Sequence, residues 1–212
     1  MKEPRFRYAL EAIVPVKGGV AQSHTEMELL CRTQDPSWAQ WYDQVPDIVL
    51  NAIQNFGVKR LAINLDTQHI LNPRIAQSIA RMGRLPIDIE WTENVSTPAL
   101  VEQAAKILVG WRDKHGFGLS IDDVGCGQDG YQRARLTDAR RIKIAGSMFQ
   151  EWRQSARQCQ MIHGLIDLYR SVDIDVVVEW VETLEDVAQA EFMGATHTQG
   201  RMWRAREIIG IL

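Results

Sequence analysis

Seven times along this chain an apolar, β-branched segment of strand length stops at a side chain able to bind a metal ion or a phosphate. The stops are Glu28, Asn64, Glu90, Asp122 with Asp123, Lys143, Glu179 and Gln199, spaced 20 to 36 residues apart. That interval is about the length of one strand followed by one helix. Strands alternating with helices form a mostly parallel sheet. When such units close into a barrel, the chemistry gathers at the carboxyl ends of the strands. The spacing therefore predicts an α/β barrel that carries all of these residues on one rim.

The most telling stop is Gly118-Leu119-Ser120-Ile121-Asp122-Asp123-Val124-Gly125-Cys126-Gly127, a buried strand that ends in two adjacent carboxylates and a glycine-rich bend. Neighbouring acids repel unless a cation holds them, which points to a divalent metal or a buried basic partner. A lone acid in this position would more often cap the next helix. Recurrence of the pattern along the chain favours the site.

Composition narrows the partners. At 212 residues the chain is long enough to bury a full core as one domain, residues 1–212. A net charge of −3 and a pI near 6.0 argue against DNA binding, which calls for a basic excess. Arg133, Arg135, Arg140 and Arg141 read as a solvated helix face and linker, whereas Lys143 sits inside an apolar strand. Cys31, Cys126 and Cys159 are an odd number without framework spacing, as expected of a reduced, cytoplasmic protein. No apolar run has the length of a signal segment or a membrane span.

The expected elements begin with strands at Tyr8–Val16 and Glu26–Arg32 around a turn at Lys17-Gly18-Gly19. No helix fits between them, so they pair as a hairpin and the barrel opens antiparallel. Strand and helix then alternate: helix Pro36–Phe56 with a break at Pro46, strand Arg60–Leu65, helix Pro73–Met82, strand Ile87–Trp91 and a helix from Pro98 to Gly116. After the central strand come a short helix from Gly130, strand Arg140–Ile144, one long helix Ser147–Tyr169, strand Asp175–Glu179, a helix capped by Thr183, and strand His197–Gln199. Trp91, Trp180 and Trp203 lie near the rim, where aromatic rings can stack on exposed bases. Trp91 and Trp180 each follow an inward glutamate, so strand alternation turns both toward the helix layer and favours packing, while for Trp203 both readings stay open.

These residues carry a resemblance. Glu28-Leu29-Leu30-Cys31-Arg32, Ile63-Asn64-Leu65, Glu90-Trp91-Thr92-Glu93, Asp122-Asp123-Val124-Gly125, Lys143-Ile144, Glu179-Trp180-Val181-Glu182 and Gln199-Gly200 match, in order, the motifs of the EAL domain, the bacterial cyclic-di-GMP phosphodiesterase. The fold it implies is a modified TIM barrel with an antiparallel first strand. The activity it implies is hydrolysis of one phosphodiester bond of cyclic-di-GMP to linear pGpG, with a cyclic dinucleotide as ligand and a homodimer as the assembly to test for. The implied cofactors are two Mg²⁺ or Mn²⁺ ions. Oxygen donors select such hard cations, and a pair ~3.5–4 Å apart can hold both the attacking water and the leaving oxygen.

By the same resemblance Glu28, Asn64, Glu90 and Asp122 hold one metal, and Asp122, Asp123 and Glu179 the other. Lys143 and Gln199 orient the water, with Glu179 beside them at the reacting centre. Arg32 and Leu30 meet the substrate, Arg32 with the planar fork that suits a phosphate. Glu93 and Glu182 position the loop and the metal ligands from behind. Several positions depart from the family pattern. The family's loop threonine is Cys126, its Lys-Ile-Asp is Lys143-Ile144-Ala145, and its Glu-Gly-Val-Glu is Glu179-Trp180-Val181-Glu182. These changes keep open a catalytically weak or silent domain that binds cyclic-di-GMP or a protein.

Glu11-Ala12-Ile13 imitates the name-giving motif, but only Glu28 has an arginine four residues on. Glu28→Gln should therefore abolish metal binding and hydrolysis while Glu11→Gln retains both. Calorimetric Mn²⁺ titration of the two variants reads this directly, and the reverse pattern would refute the register.

Overall fold

The computed structural model describes residues 6–17, 20–21, 25–93, 96–126, 130–151, 155–206 and 208–211. The turn glycines Gly18 and Gly19 and the loop residues Gly127, Gln128 and Asp129 lie outside the described residues. In chain order the strands are β1 (Arg7–Lys17), β2 (Val20–Ala21), β3 (Glu26–Cys31), β4 (Arg60–Leu65), β5 (Ile87–Trp91), β6 (Gly118–Val124), β7 (Arg141–Ile144), β8 (Asp175–Val178), β9 (His197–Thr198) and β10 (Ile208–Ile211). The helices are α1 (Trp38–Phe56), α2 (Thr67–Leu71), α3 (Pro73–Arg81), α4 (Pro98–His115), α5 (Gly130–Thr137), α6 (Gly146–Glu151), α7 (Ala156–Arg170) and α8 (Leu184–Phe192).

Eight of the strands close a barrel in the order β1-β3-β4-β5-β6-β7-β8-β9. β1 runs antiparallel to β3, from Tyr8↔Cys31 to Ile13↔Glu26, and the strands from β3 to β9 are parallel. β9 returns to β1 through Val14↔Thr198 and Pro15↔His197. Farther along the same edge β10 covers Arg7 to Leu10. The antiparallel opening and the barrel are thus as the sequence implies.

Strand alternation sorts the side chains. One face of each strand packs on the helices, where Trp41, Val45, Ile48, Ile79, Leu108, Phe149 and Ile166 meet Leu61, Ile89, Ile121 and Ile142 in a single apolar shell. The other face points into the barrel and is largely polar. A small apolar group, Ile13, Ala62 and Val177, lies at mid-height. Ala62 falls between Arg60 below and Asn64 above on the same face of β4, so it divides two polar storeys.

The lower storey is a buried ion cluster. Asp88, 1% exposed, takes Arg60 at 2.8 Å, a two-pronged contact from Arg140, and Arg141 at 3.7 Å. Arg141 also reaches Glu26 at 2.6 Å and His197 at 3.3 Å. Burial by itself would raise the Asp88 pKa, but the hydrogen bonds and charges of Arg140, with Arg60 and Arg141, hold it below the usual carboxylate range. Arg140 and Arg141 are therefore not a solvated linker. Their partners come from distant strands, which local composition cannot reveal. Gly118 makes room for the cluster: a Cβ there would fall on the Asp88 carboxylate and on Arg140 Nε.

Four further differences from the sequence expectation have local causes. α1 runs through Pro46 because Trp41, Tyr42, Val45, Ile48 and Val49 all bury on one face, offsetting the ~3 kcal/mol a proline costs in a helix interior. α2 is an added turn capped by Asp66, whose side chain accepts from the His69 backbone N–H at 2.7 Å. The single long helix divides into α6 and α7, the second capped by Ser155 on Gln158 N at 3.1 Å. β10 follows a 3-10 helix, Arg201–Arg206, and was not expected.

Removing one partner of a buried ion cluster strands the others, so Asp88→Asn should lose about 3–5 kcal/mol in urea unfolding at pH 7. The native pKa is depressed, so this stabilisation is present above the unfolded value of about 4 and fades as pH falls through the native one. Wild-type and variant stabilities should accordingly converge in acid.

Candidate metal and phosphate site

The upper storey is built around one ammonium group. Lys143, at the third position of β7, points inward with its side chain 1% exposed. Its Nζ lies 3.2 Å from Glu28, 3.2 Å from Glu90, 3.1 Å from Asp122 and 2.8 Å from Glu179. Glu28 also accepts from Gln199 Nε2 at 2.6 Å and from the Asn64 amide. Glu28, Asn64, Glu90, Asp122, Lys143, Glu179 and Gln199 therefore meet in one cluster. Asn64, Glu90, Asp122 and Lys143 stand within two residues of the carboxyl ends of their strands, Glu179 and Gln199 just past theirs, and Glu28 in the middle of β3.

Asp122 and Asp123 present a stereochemical problem, since successive residues of a strand point to opposite faces. The β6–β7 register shifts between Ile121 and Val124, and Asp123 adopts a left-handed φ of 53°. This bulge turns the second acid back, so that Asp122, Asp123 and Glu179 each bring an oxygen within 4.8 Å of the others.

The electrostatics are unbalanced. Burial, outweighed by Lys143, Asn64 and Gln199, leaves Glu28 below its ordinary pKa. Burial together with the charges of Glu28 and Asp122 overcomes Lys143 and raises Glu90 well above its own. Glu179 rises to about 7 by burial and by repulsion from Asp122 and Glu28, against the pull of Lys143. Asp123 rises by burial and by the charges of Asp122 and Glu93. Burial would lower Lys143, but the surrounding carboxylates raise it well above the usual amine range, so it stays an ammonium. One cation is too few for five carboxylates.

The donor set suits a hard divalent cation. It is made of carboxylate and amide oxygens, and Asn64 Oδ1, Glu90 Oε1 and Gln199 Oε1 are buried without a hydrogen-bond partner among the described residues. Such oxygens are costly in a dry interior and are what a bound cation would satisfy.

Two residues fix this arrangement that the sequence did not single out. Arg133, 1% exposed, donates to the carbonyls of Trp91 and Asp122, the second at 3.2 Å, and lies 5.8 Å from the centre of the Trp91 ring. It ties together the strand ends that carry Glu90 and Asp122, and is not the solvated residue that local composition implies. The Tyr42 hydroxyl donates to the Asn64 carbonyl. The buried Trp91 packs in the helix layer as alternation requires, its Nε1 donating to Thr67 Oγ1 at 3.2 Å.

Above the cluster opens a cavity of about 340 Å³ lined by Glu11, Leu30, Asp123, Trp180 and Gly200 together with Glu28, Asp122, Lys143, Glu179 and Gln199 of the cluster. Arg32 is half-exposed at the rim, 3.9 Å from Glu11. Glu11, opposite Glu28 across the hairpin, is thus part of the mouth without being a member of the cluster. Glu93 and Glu182 are exposed, and Glu182 pairs with Arg201 at 3.4 Å. Ala145 is buried directly after β7. Cys126 lies 2.8 Å from the Ser147 hydroxyl.

Trp180 corrects the expectation that it packs in the helix layer. β8 ends at Val178, so strand alternation no longer governs residue 180. Its φ of 57° turns the indole to the cavity mouth, 57% exposed, at a backbone cost of about 1–2 kcal/mol.

Comparison with known proteins agrees with this geometry. The EAL domain model matches residues 38–205. A probable cyclic di-GMP phosphodiesterase of Escherichia coli, PdeA, is 31% identical over 87 residues, 41% of this chain and 12% of that protein. The cyclic di-GMP phosphodiesterase RocR of Pseudomonas aeruginosa is 24% identical over 152 residues, 68% of this chain and 38% of that protein. The chain thus spans well under half the length of these curated relatives. Among solved structures, the manganese/cy-diGMP complex of Klebsiella pneumoniae BlrP1 superposes with a TM-score of 0.77 at 20% identity, over 100% of this chain and 60% of the other. The c-di-GMP complex of the PaMucR phosphodiesterase gives 0.76 at 17% identity, over 95% and 91%. These two establish the likeness of fold.

An ion bound only by the folded chain stabilises it, by about 2.7 kcal/mol at a hundred times the dissociation constant. Mn²⁺ should therefore raise the melting temperature, EDTA should reverse the rise, and Asp122→Asn should remove most of it. Differential scanning calorimetry checks all three.

Proposed function

The chain belongs to the EAL domain family, and from that premise we propose that it hydrolyses one phosphodiester bond of cyclic-di-GMP to linear pGpG with Mg²⁺ or Mn²⁺, in the cytoplasm. The observation that carries the reading is the cluster around Lys143, with its excess of carboxylates over cations and its unsatisfied buried oxygens, at the floor of a cavity. Glu28, Asn64, Glu90 and Asp122 would hold one ion, and Asp122, Asp123 and Glu179 a second. Such ions polarise the phosphodiester and acidify water.

The chain's own groups perform the remaining work. Lys143 and Gln199 donate hydrogen bonds and orient the attacking water. Lys143, kept charged by its carboxylates, acts as a fixed donor rather than a base. The water oxygen bonds to phosphorus as the water gives up a proton to solvent, the bond from phosphorus to a ribose oxygen breaks, and that oxygen takes up a proton from solvent and departs as a hydroxyl. Arg32, at the rim, exchanges its contact with Glu11 for a phosphate oxygen, and Leu30 bears on the ligand from the cavity wall. Glu93 and Glu182 steady the loops that carry the ligands.

A second reading, a binding domain with little turnover, draws on Ala145. Lys143 and Ala145 are two apart, and the family's aspartate would stand where this chain buries a methyl group. Without that carboxylate the second ion is held more weakly, so hydrolysis needs high metal concentration while ligand binding suffers less.

Purified protein with cyclic-di-GMP and Mn²⁺ should yield pGpG by chromatography, and Ala145→Asp should lower the half-saturating Mn²⁺ concentration several-fold and raise the rate. Absence of product from both proteins at saturating metal would overturn the phosphodiesterase reading and leave the binding one.

A further inference from the structure

Trp180 is the one aromatic residue among the described residues that line the cavity, and the chain holds it there against its backbone preference. A left-handed φ of 57° is costly for a bulky side chain, and such strain persists only where the surroundings impose it. They do so on both sides. The Val181 N–H donates to the Gln199 carbonyl at 3.0 Å, and the Trp180 carbonyl accepts from Gln150 Nε2 at 3.1 Å. Gly200 lies so close that a Cβ on it would fall on the Val181 backbone.

The ring itself rests on Gly146. A Cβ at that position would land on the indole atoms Cγ, Cδ1 and Cδ2, so the absence of a side chain there is what lets the ring settle beside Ala145. More than half of the residue stays exposed. An apolar ring kept for packing alone would be buried further, and glycine would relieve the backbone. A ring clamped at its base, backed by glycine and open at the mouth of the cavity over the Lys143 cluster has the form of a stacking platform for a planar base.

Resting on the reading of the cavity as a cyclic-dinucleotide site, we infer that Trp180 stacks on one purine base of the ligand and so determines affinity for the base rather than for the phosphodiester. The residue grips ligand without touching the reacting atoms. Its loss should show in binding more than in the chemical step.

Calorimetric titration of the full chain with cyclic-di-GMP, with Ca²⁺ in place of Mn²⁺ to slow turnover, tests this on Trp180→Phe, Trp180→Ala and Trp180→Gly. Stacking on one base is worth about 5- to 150-fold in affinity. Ala and Gly should lose that much, and Phe should stay within a few-fold of wild type. Each variant should keep the Mn²⁺-induced rise in melting temperature. Wild-type affinity in Trp180→Ala would overturn the inference and leave the function standing. Joint loss of the metal response and ligand binding would make the ring structural and also overturn it. A wild-type chain that binds no cyclic-di-GMP with either metal would overturn the functional reading, and this inference with it.

Discussion

Everything at the upper end of this barrel depends on one ammonium ion in a dry space. The side chains of Glu28, Glu90, Asp122 and Glu179 come from four different strands and converge within 3.2 Å of Lys143 Nζ. Burying carboxylates so close together costs several kcal/mol each unless a cation and hydrogen bonds compensate. Lys143 supplies the compensation that lets the strands close, and Asn64 and Gln199 complete it around Glu28. On the function proposed above, a divalent ion would share these oxygens with a charge already installed, and the lysine would serve the fold first and the site's affinity for metal second.

The two polar storeys obey the same physics with different arithmetic. Below, Asp88 and Glu26 are met by Arg60, Arg140 and Arg141, and the charge is more than covered. Above, a single lysine faces five acids, and the deficit appears as raised pKa values at Glu90, Asp123 and Glu179. Perturbed groups of this kind gather where a site expects a further partner. The lower storey is structural because its carboxylates are matched by guanidinium groups. The upper one is receptive because its carboxylates are not matched.

How much of this was legible in the sequence follows from the range of the forces involved. The cluster could be read because an apolar run and the polar residue that ends it are local, and their recurrence at strand-plus-helix intervals puts Glu28, Asn64, Glu90, Lys143 and Gln199 on one rim. The hairpin could be read because no helix fits between its strands. Arg140 and Arg141 could not, since Asp88 is 52 residues from Arg140 and Glu26 is 115 from Arg141. Arg133 likewise spends its charge on carbonyls up to 42 residues away. Trp180 escaped for a different reason: alternation was carried two residues beyond the end of its strand, where a left-handed residue reverses it. Glu11 was judged by its motif, and only the pairing across the hairpin puts it opposite Glu28.

The closing strand has a dynamic consequence. β9 is held to β8 by two residue pairs and to β1 by two more, one of them at Pro15, which has no N–H to donate. Other neighbouring strands of the barrel share three to six pairs. Backbone bonds just outside the strand, from Val16 N–H to Thr196 O, Thr196 N–H to Val176 O and Gln199 N–H to Val178 O, reinforce this seam. Gln199 is the first residue past it and holds Glu28 from there. The same few bonds that close the cylinder therefore also fix one carboxylate of the cluster, so opening the seam would loosen that carboxylate.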